Sequence, residues 1–211
     1  MSDSAHLWLF FVLVFGAVIL PGMDMAFILG SALTGGRRHG FAAVAGAVAG
    51  AACHAVFVAL GIGLLLKTVP WAFNALLLAG ACFIAWIALG ILRTPPPKST
   101  PEPAASGSPR RTFARELTNN LLNPHAYLFS LAVFPQFIFP DRGPVALQAF
   151  VLFLIIALTQ TIVYGAIVLL AAHVRHWLRD TPHVQRMMRV AVATLLFAAA
   201  LWAGYAGWQR S

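Results

Sequence analysis

The sequence predicts an all-α membrane protein with six transmembrane helices, and three observations predict it. Hydrophobic residues make up 60% of the chain and charged residues only 9%, against roughly 25% charged in a soluble domain. The mean hydropathy is +0.82. Six apolar runs, at residues 7–33, 41–66, 71–92, 117–139, 145–172 and 190–208, each approach or exceed the roughly 20 residues that cross about 30 Å of hydrocarbon. Basic residues also sort by loop. Eleven of the fourteen lie between spans 1 and 2 (Arg37, Arg38), between spans 3 and 4 (Arg93, Lys98, Arg110, Arg111, Arg115) or between spans 5 and 6 (Arg175, Arg179, Arg186, Arg189). Only Lys67, Arg142 and Arg210 fall on the other side.

That asymmetry is the positive-inside pattern. It predicts cytoplasmic odd-numbered loops and both termini outside. It also accounts for the net charge of +8 as a topological signal that meets anionic headgroups, so no nucleic-acid partner is called for. The leader before span 1 has no Lys or Arg and no small-residue cleavage pattern follows, so the first span is expected to be retained.

The first span contains "VILPGMDMAFIL", residues 18–29. Pro21 lacks an amide donor and its ring clashes with the carbonyl four residues back, so the helix is expected to open at Pro21-Gly22. Asp24 follows directly. It is the one acidic residue placed well inside a span; Asp3, Glu102, Glu116, Asp141 and Asp180 fall in termini, loops or helix ends. Backbone groups freed at membrane depth are tolerated where protein or a water-filled cavity meets them. Asp24 there would meet a substrate ammonium, exchange a proton, or cap the second half-helix.

Span 2 carries Ala42, Gly46, Gly50 and His54 at four-residue spacing, a face that lets helices approach closely. His54 is read either as a hydrogen-bonded neutral histidine or as a proton carrier. Cys53 and Cys82, in spans 2 and 3, have neither CxxC nor metal-ligand spacing and read as packing residues. After span 3 comes "RTPPPKSTPEPAASGSPRR", a Pro-rich stretch that reads as a flexible cytoplasmic linker. One transporter domain thus spans residues 1–211: spans 1–3 over about 7–92, the linker over about 93–112, and spans 4–6 over about 113–208.

Three spans per half reverse the entry side of the second half, which predicts a 3+3 inverted repeat. Span 4, the counterpart of span 1, is interrupted at Asn123-Pro124 within "NNLLNPHAYLF". This stretch also supplies Asn119, Asn120, His125 and Tyr127. Span 5 adds Thr159, Gln160 and Tyr164, the last two on one helix face. Amides and half-helix N-termini suit a carboxylate, while Asp24 or opened carbonyls suit an ammonium. Span 6 has a small-residue face at Ala199, Ala203 and Gly207; such faces serve the monomer's own packing or a homo-oligomer. No P-loop, HExxH or GxSxG occurs, so the chain is not read as an enzyme, and no cofactor or metal is assigned.

"LPGMDMAFILGSALTGGRRHGFAAVAGAVAG" resembles the first-helix signature of the LysE/RhtB family of amino-acid exporters. "NNLLNPHAYLFSLAVFPQF" resembles the family's second signature. Met23 stands where the family usually has a second proline, and His125 where it usually has lysine. The resemblance implies export of an amino acid or related metabolite by proton motive force across a bacterial inner membrane. Pro21, Gly22, Asp24, Asn123, Pro124, His125, Gln160 and Tyr164 would form the site, with His54, Asn119, Asn120 and Tyr127 nearby. Two readings from other classes stand beside it: a membrane thiol or electron carrier using Cys53 and Cys82, which needs their Cα atoms within about 7 Å, and cation or metal efflux, for which one embedded carboxylate and scattered histidines are few ligands.

Overall fold

A computed structural model describes residues 3–20, 22–69, 72–93 and 107–171, with scattered positions between 186 and 205. Pro21, linker residues 94–106 and most of the sixth predicted span lie outside the described residues. Among those described there are six α-helices and no strand: α1 (Asp3–Ile19), α2 (Met23–Thr68), α3 (Ala72–Arg93), α4 (Pro109–Leu121), α5 (Pro124–Phe137) and α6 (Val145–Leu169). Met23–Leu65 and Val145–Leu169 are long and apolar enough to cross a membrane, and Ala5–Ile19 is a shorter apolar helix.

Helix α6 displays the solvent the fold is built for. Ala149, Leu152, Ile156, Gln160, Tyr164 and Val168 are buried on one side. Phe150, Leu154, Leu158 and Ile162, four residues apart on the other, are exposed, Ile162 by 69%. A helix apolar on every side needs an apolar surround beyond the protein. On α2, Val56, Phe57, Leu60 and Leu64 are likewise exposed.

Helix α2 is two helices in one run. Gly36 sits at φ 74°, ψ −176°, backbone that an L side chain rarely adopts. Around it the chain folds back: a Cβ on Gly40 would lie 2.9 Å from the Cβ of Ala32, whereas eight residues of straight helix rise about 12 Å. The loop expected near residues 34–40 is therefore a single-glycine reversal between two helical arms. The second arm lies against α4 and α6, α3 against α5, and α1 against α6. Where α1 meets α5, Phe10 forms edge contacts with Phe134 and Phe137 at centroid distances of 5.9 and 5.1 Å.

Helix α4 begins at Pro109, ahead of the apolar run at residue 117. Pro suits a first helical position, where its missing donor has no partner to lose. Thr112, Glu116 and Asn120 form its buried face. This polar face lies on the small-residue face of α2. A Cβ on Gly46 would meet the Phe113 carbonyl oxygen at 2.6 Å and the Glu116 Cβ at 2.9 Å. One on Gly50 would meet the Asn120 Cγ at 2.7 Å. Only glycine permits this approach, and His39 Nδ1 adds a 2.8 Å contact to Thr112 Oγ1 at one end. The loop after α5 is held by Gln148, which accepts from the Phe139 amide (2.8 Å) and donates to the Phe139 and Gly143 carbonyls (2.9 and 3.0 Å).

Candidate functional site

Two helix starts define the site. Helical structure stops at Ile19 and resumes at Met23, and it stops again at Leu121 and resumes at Pro124. The Gly22 carbonyl accepts from Ala26 N at 2.9 Å, and the Asn123 carbonyl from Tyr127 N at 3.1 Å. Each restart leaves first-turn amides with no acceptor inside the helix. Gly22, exposed and extended, is the cap residue of α2, and no side chain caps this helix. Asp24 is therefore not the cap that its position allowed.

Its carboxylate turns to the second interruption instead. Asn120 Nδ2 donates to Asp24 Oδ2 at 2.8 Å across 96 residues of sequence. Asn123, buried at the start of α5, and His54 stand within electrostatic range of the same carboxylate. His54 Nε2 lies 3.3 Å from the Asn120 carbonyl oxygen. A carbonyl only accepts, so Nε2 carries the hydrogen, and Nδ1 is left buried without a partner. The His54 ring also faces Tyr127, with centroids 6.0 Å apart. Tyr127 is otherwise exposed.

The remaining predicted residues divide. Tyr164, buried on α6, lies in electrostatic range of both Asp24 and Glu116. Gln160, one turn earlier, is buried with Oε1 unpartnered. Asn119 donates to Glu116 Oε2 at 3.1 Å rather than to Asp24. Pro124 and His125 open α5; their side chains, like Pro21, lie outside the described residues. The structure thus brings together Asp24, His54, Asn120, Asn123, Tyr127 and Tyr164.

Sequence reasoning missed Glu116, which stands at 0% exposure. The available signal was spacing: Thr112, Glu116 and Asn120 repeat every four residues, as do Gly46, Gly50 and His54 on the partner face. Three oxygens in this cluster are buried without hydrogen-bond partners: Asp24 Oδ1, Glu116 Oε1 and Asn120 Oδ1. Buried acceptors left bare are costly unless a donor or a cation meets them. Among the described residues no group of three His, Cys, Asp or Glu is placed to hold a metal ion. Cys53 and Cys82 are both free, half-buried and exposed respectively.

Residues 14–207 match the family described as LysE type translocator. The chain belongs to this family. As a LysE type translocator it is a membrane transporter with a small-molecule substrate, not an enzyme. It is 30% identical to an uncharacterized membrane protein of Vibrio cholerae over 88% of this chain and 90% of that one. It is 27% identical to the homoserine/homoserine lactone efflux protein of Salmonella typhimurium over 87% and 88%. With the leucine efflux protein of Klebsiella pneumoniae it shares 31% identity over 57% and 58%. No solved structure matches the chain.

Proposed function

We propose that this translocator is a secondary exporter of an amino acid or amino-acid derivative in a bacterial inner membrane, driven by proton motive force. The observation that carries the reading is the 2.8 Å hydrogen bond between Asp24 and Asn120. It ties two helix restarts, about a hundred residues apart, into one part-buried polar site, the arrangement expected of discontinuous helices at a transporter's centre. First-turn amides of α2 and α5 suit a substrate carboxylate, and Asp24 suits its ammonium. Gly22, Asn123, Gln160, Tyr164, His54 and Tyr127 line or support that site. Pro21, Pro124 and His125 belong to the same two interruptions. Relatives named for efflux of homoserine, homoserine lactone and leucine support the substrate class.

The reading includes six spans in one domain, in two inverted halves with helices 1 and 4 interrupted. Packing supports its topology. His39 meets Thr112, and a Cβ on Gly40 would touch Val168, so the ends bearing Arg37, Arg38, Arg110 and Arg111 gather together. At the other end His6 packs on Phe139, with centroids 4.9 Å apart. On the charge bias of the sequence, the first end faces the cytoplasm and both termini lie outside in this reading.

The test is mass-spectrometric efflux across an amino-acid panel in cells with and without the protein, together with Asp24→Asn. At least one amino acid leaves faster with the wild type, and Asp24→Asn abolishes that gain while still inserting in the membrane. Wild-type efflux from the variant removes Asp24 from the site.

A further inference from the structure

Glu116 lies one turn before Asn120 on the buried face of α4, in electrostatic range of Asp24. Its Cβ presses on the Gly46 backbone, Oε2 accepts from Asn119 at 3.1 Å, and Oε1 is buried with no partner. One turn along α4, Asn120 binds Asp24 through Nδ2 and leaves its own Oδ1 buried and bare. Asp24 on α2 and Tyr164 on α6 stand in electrostatic range of Glu116; His39 lies against Thr112, one turn before it, His54 against the Asn120 carbonyl, one turn after it, and Arg115 precedes it on α4. The groups acting on its carboxylate are Asp24, by charge, and the Asn119 amide, by hydrogen bond. A carboxylate out of water with a bare oxygen and a second carboxylate in range is costly by several kcal/mol unless a cation or a proton meets it. Glycines at positions 46 and 50 leave no methyl-sized space at this crossing, and a proton is the cation that needs none.

We propose that Glu116 is the proton-binding group that couples this transporter to the proton gradient. In the arrangement described here the proton sits on Glu116 Oε1. Separation of α4 from the glycine face of α2 admits water, which takes the proton and leaves the carboxylate. Reprotonation from the other side restores the closed contact. Asn120, bonded to Asp24 on one face and packed on Gly50 on the other, links this event to the substrate site, since α4 cannot move from α2 without moving Asn120. The inference rests on the exporter reading for its substrate, and on geometry alone for its proton.

The experiment uses full-length protein in liposomes of bacterial lipid, comparing wild type, Glu116→Gln and Glu116→Asp. Uptake of labelled amino acid driven by a pH gradient is divided by gradient-free exchange of the same amino acid. The expected ratio falls at least tenfold in Glu116→Gln and recovers at least in part in Glu116→Asp. An unchanged ratio in Glu116→Gln overturns the proposal, as does uptake that follows a sodium gradient and ignores pH. A substrate-free readout separates this proposal from the exporter reading: the infrared carbonyl stretch of a protonated buried carboxyl, expected in the wild type and missing in Glu116→Gln. Wild-type protein without that band overturns the proton site even if amino-acid export is confirmed. Wild-type protein with the band but with no amino-acid exchange overturns the exporter reading and leaves the proton site standing.

Discussion

Adding one methyl group at Gly46 probes the crossing on which the whole site depends. In Gly46→Ala the new Cβ would lie 2.6 Å from the Phe113 carbonyl oxygen and 2.9 Å from the Glu116 Cβ, with the Leu117 amide nitrogen at 3.1 Å. Carbon pairs rest at about 3.5–4.0 Å, so α4 must retreat by roughly 0.6–1.1 Å. Two of the three obstructing atoms are backbone, which no rotamer change moves. Overpacking of this kind costs about 1–3 kcal/mol. The same retreat carries Asn120, one turn further along α4, away from Asp24. A 2.8 Å hydrogen bond lengthened by that amount passes the limit of about 3.2 Å for N–H···O geometry. The assay pairs thermal unfolding of the purified protein with amino-acid efflux in cells. Gly46→Ala is expected to unfold at lower temperature and to lose at least tenfold in efflux. Gly61→Ala is the matched control, since nothing lies within 4 Å of its added Cβ; there alanine is expected to be neutral or to stabilise by about 0.5–1 kcal/mol. If the two variants behave alike in both readouts, the close approach of α2 and α4 is refuted.

Other expectations follow from separate parts of the molecule. Gly36→Ala meets open space but a φ of 74° with ψ −176°, so backbone strain of about 1–3 kcal/mol is expected as a lower unfolding temperature; an unchanged one would mean that the reversal is not at Gly36. Gln148→Ala removes three hydrogen bonds that close the loop after α5, an expected loss of about 2–4 kcal/mol, read as early proteolysis near residues 139–143. Leu158→Arg places a charge on the outward face of α6, at a cost of roughly 2.5–3.5 kcal/mol if that face meets lipid; membrane fractionation should find less inserted protein, and full insertion would mean that the face is not in the hydrocarbon.

The class of fold was legible because a bilayer imposes a length and a polarity on each crossing, and runs such as 145–172 state both directly. The second interruption was legible for a local reason: Pro124 lacks an amide donor, and α5 opens at Pro124, where that donor has no partner to lose; Pro21 lies outside the described residues. Which polar groups meet was only partly legible. The pairing of Asp24 with Asn120 spans 96 positions and depends on how α4 lies on α2, which no local pattern encodes. Glu116 escaped because burial was judged from apolar runs, whereas α4 is polar and is buried by glycines on its partner. The reversal at Gly36 escaped too, since a glycine in a Gly-Gly-Arg-Arg stretch marks a loop as readily as a turn between two continuous helices. Asp24 as a helix cap failed because Gly22 already occupies the cap position.

The claim that Asp24 and Asn120 work as one transport element is tested most directly by exchanging them. Asp24→Asn alone leaves two amides face to face, and Asn120→Asp alone sets two carboxylates against each other where a 2.8 Å bond now stands. The double exchange restores one carboxylate and one amide in contact. Homo-exchange of the exported amino acid in proteoliposomes, normalised to inserted protein, is predicted to fall at least tenfold in each single variant. It is predicted to recover by at least tenfold over either single in the double. A double variant no faster than the poorer single one would contradict the account.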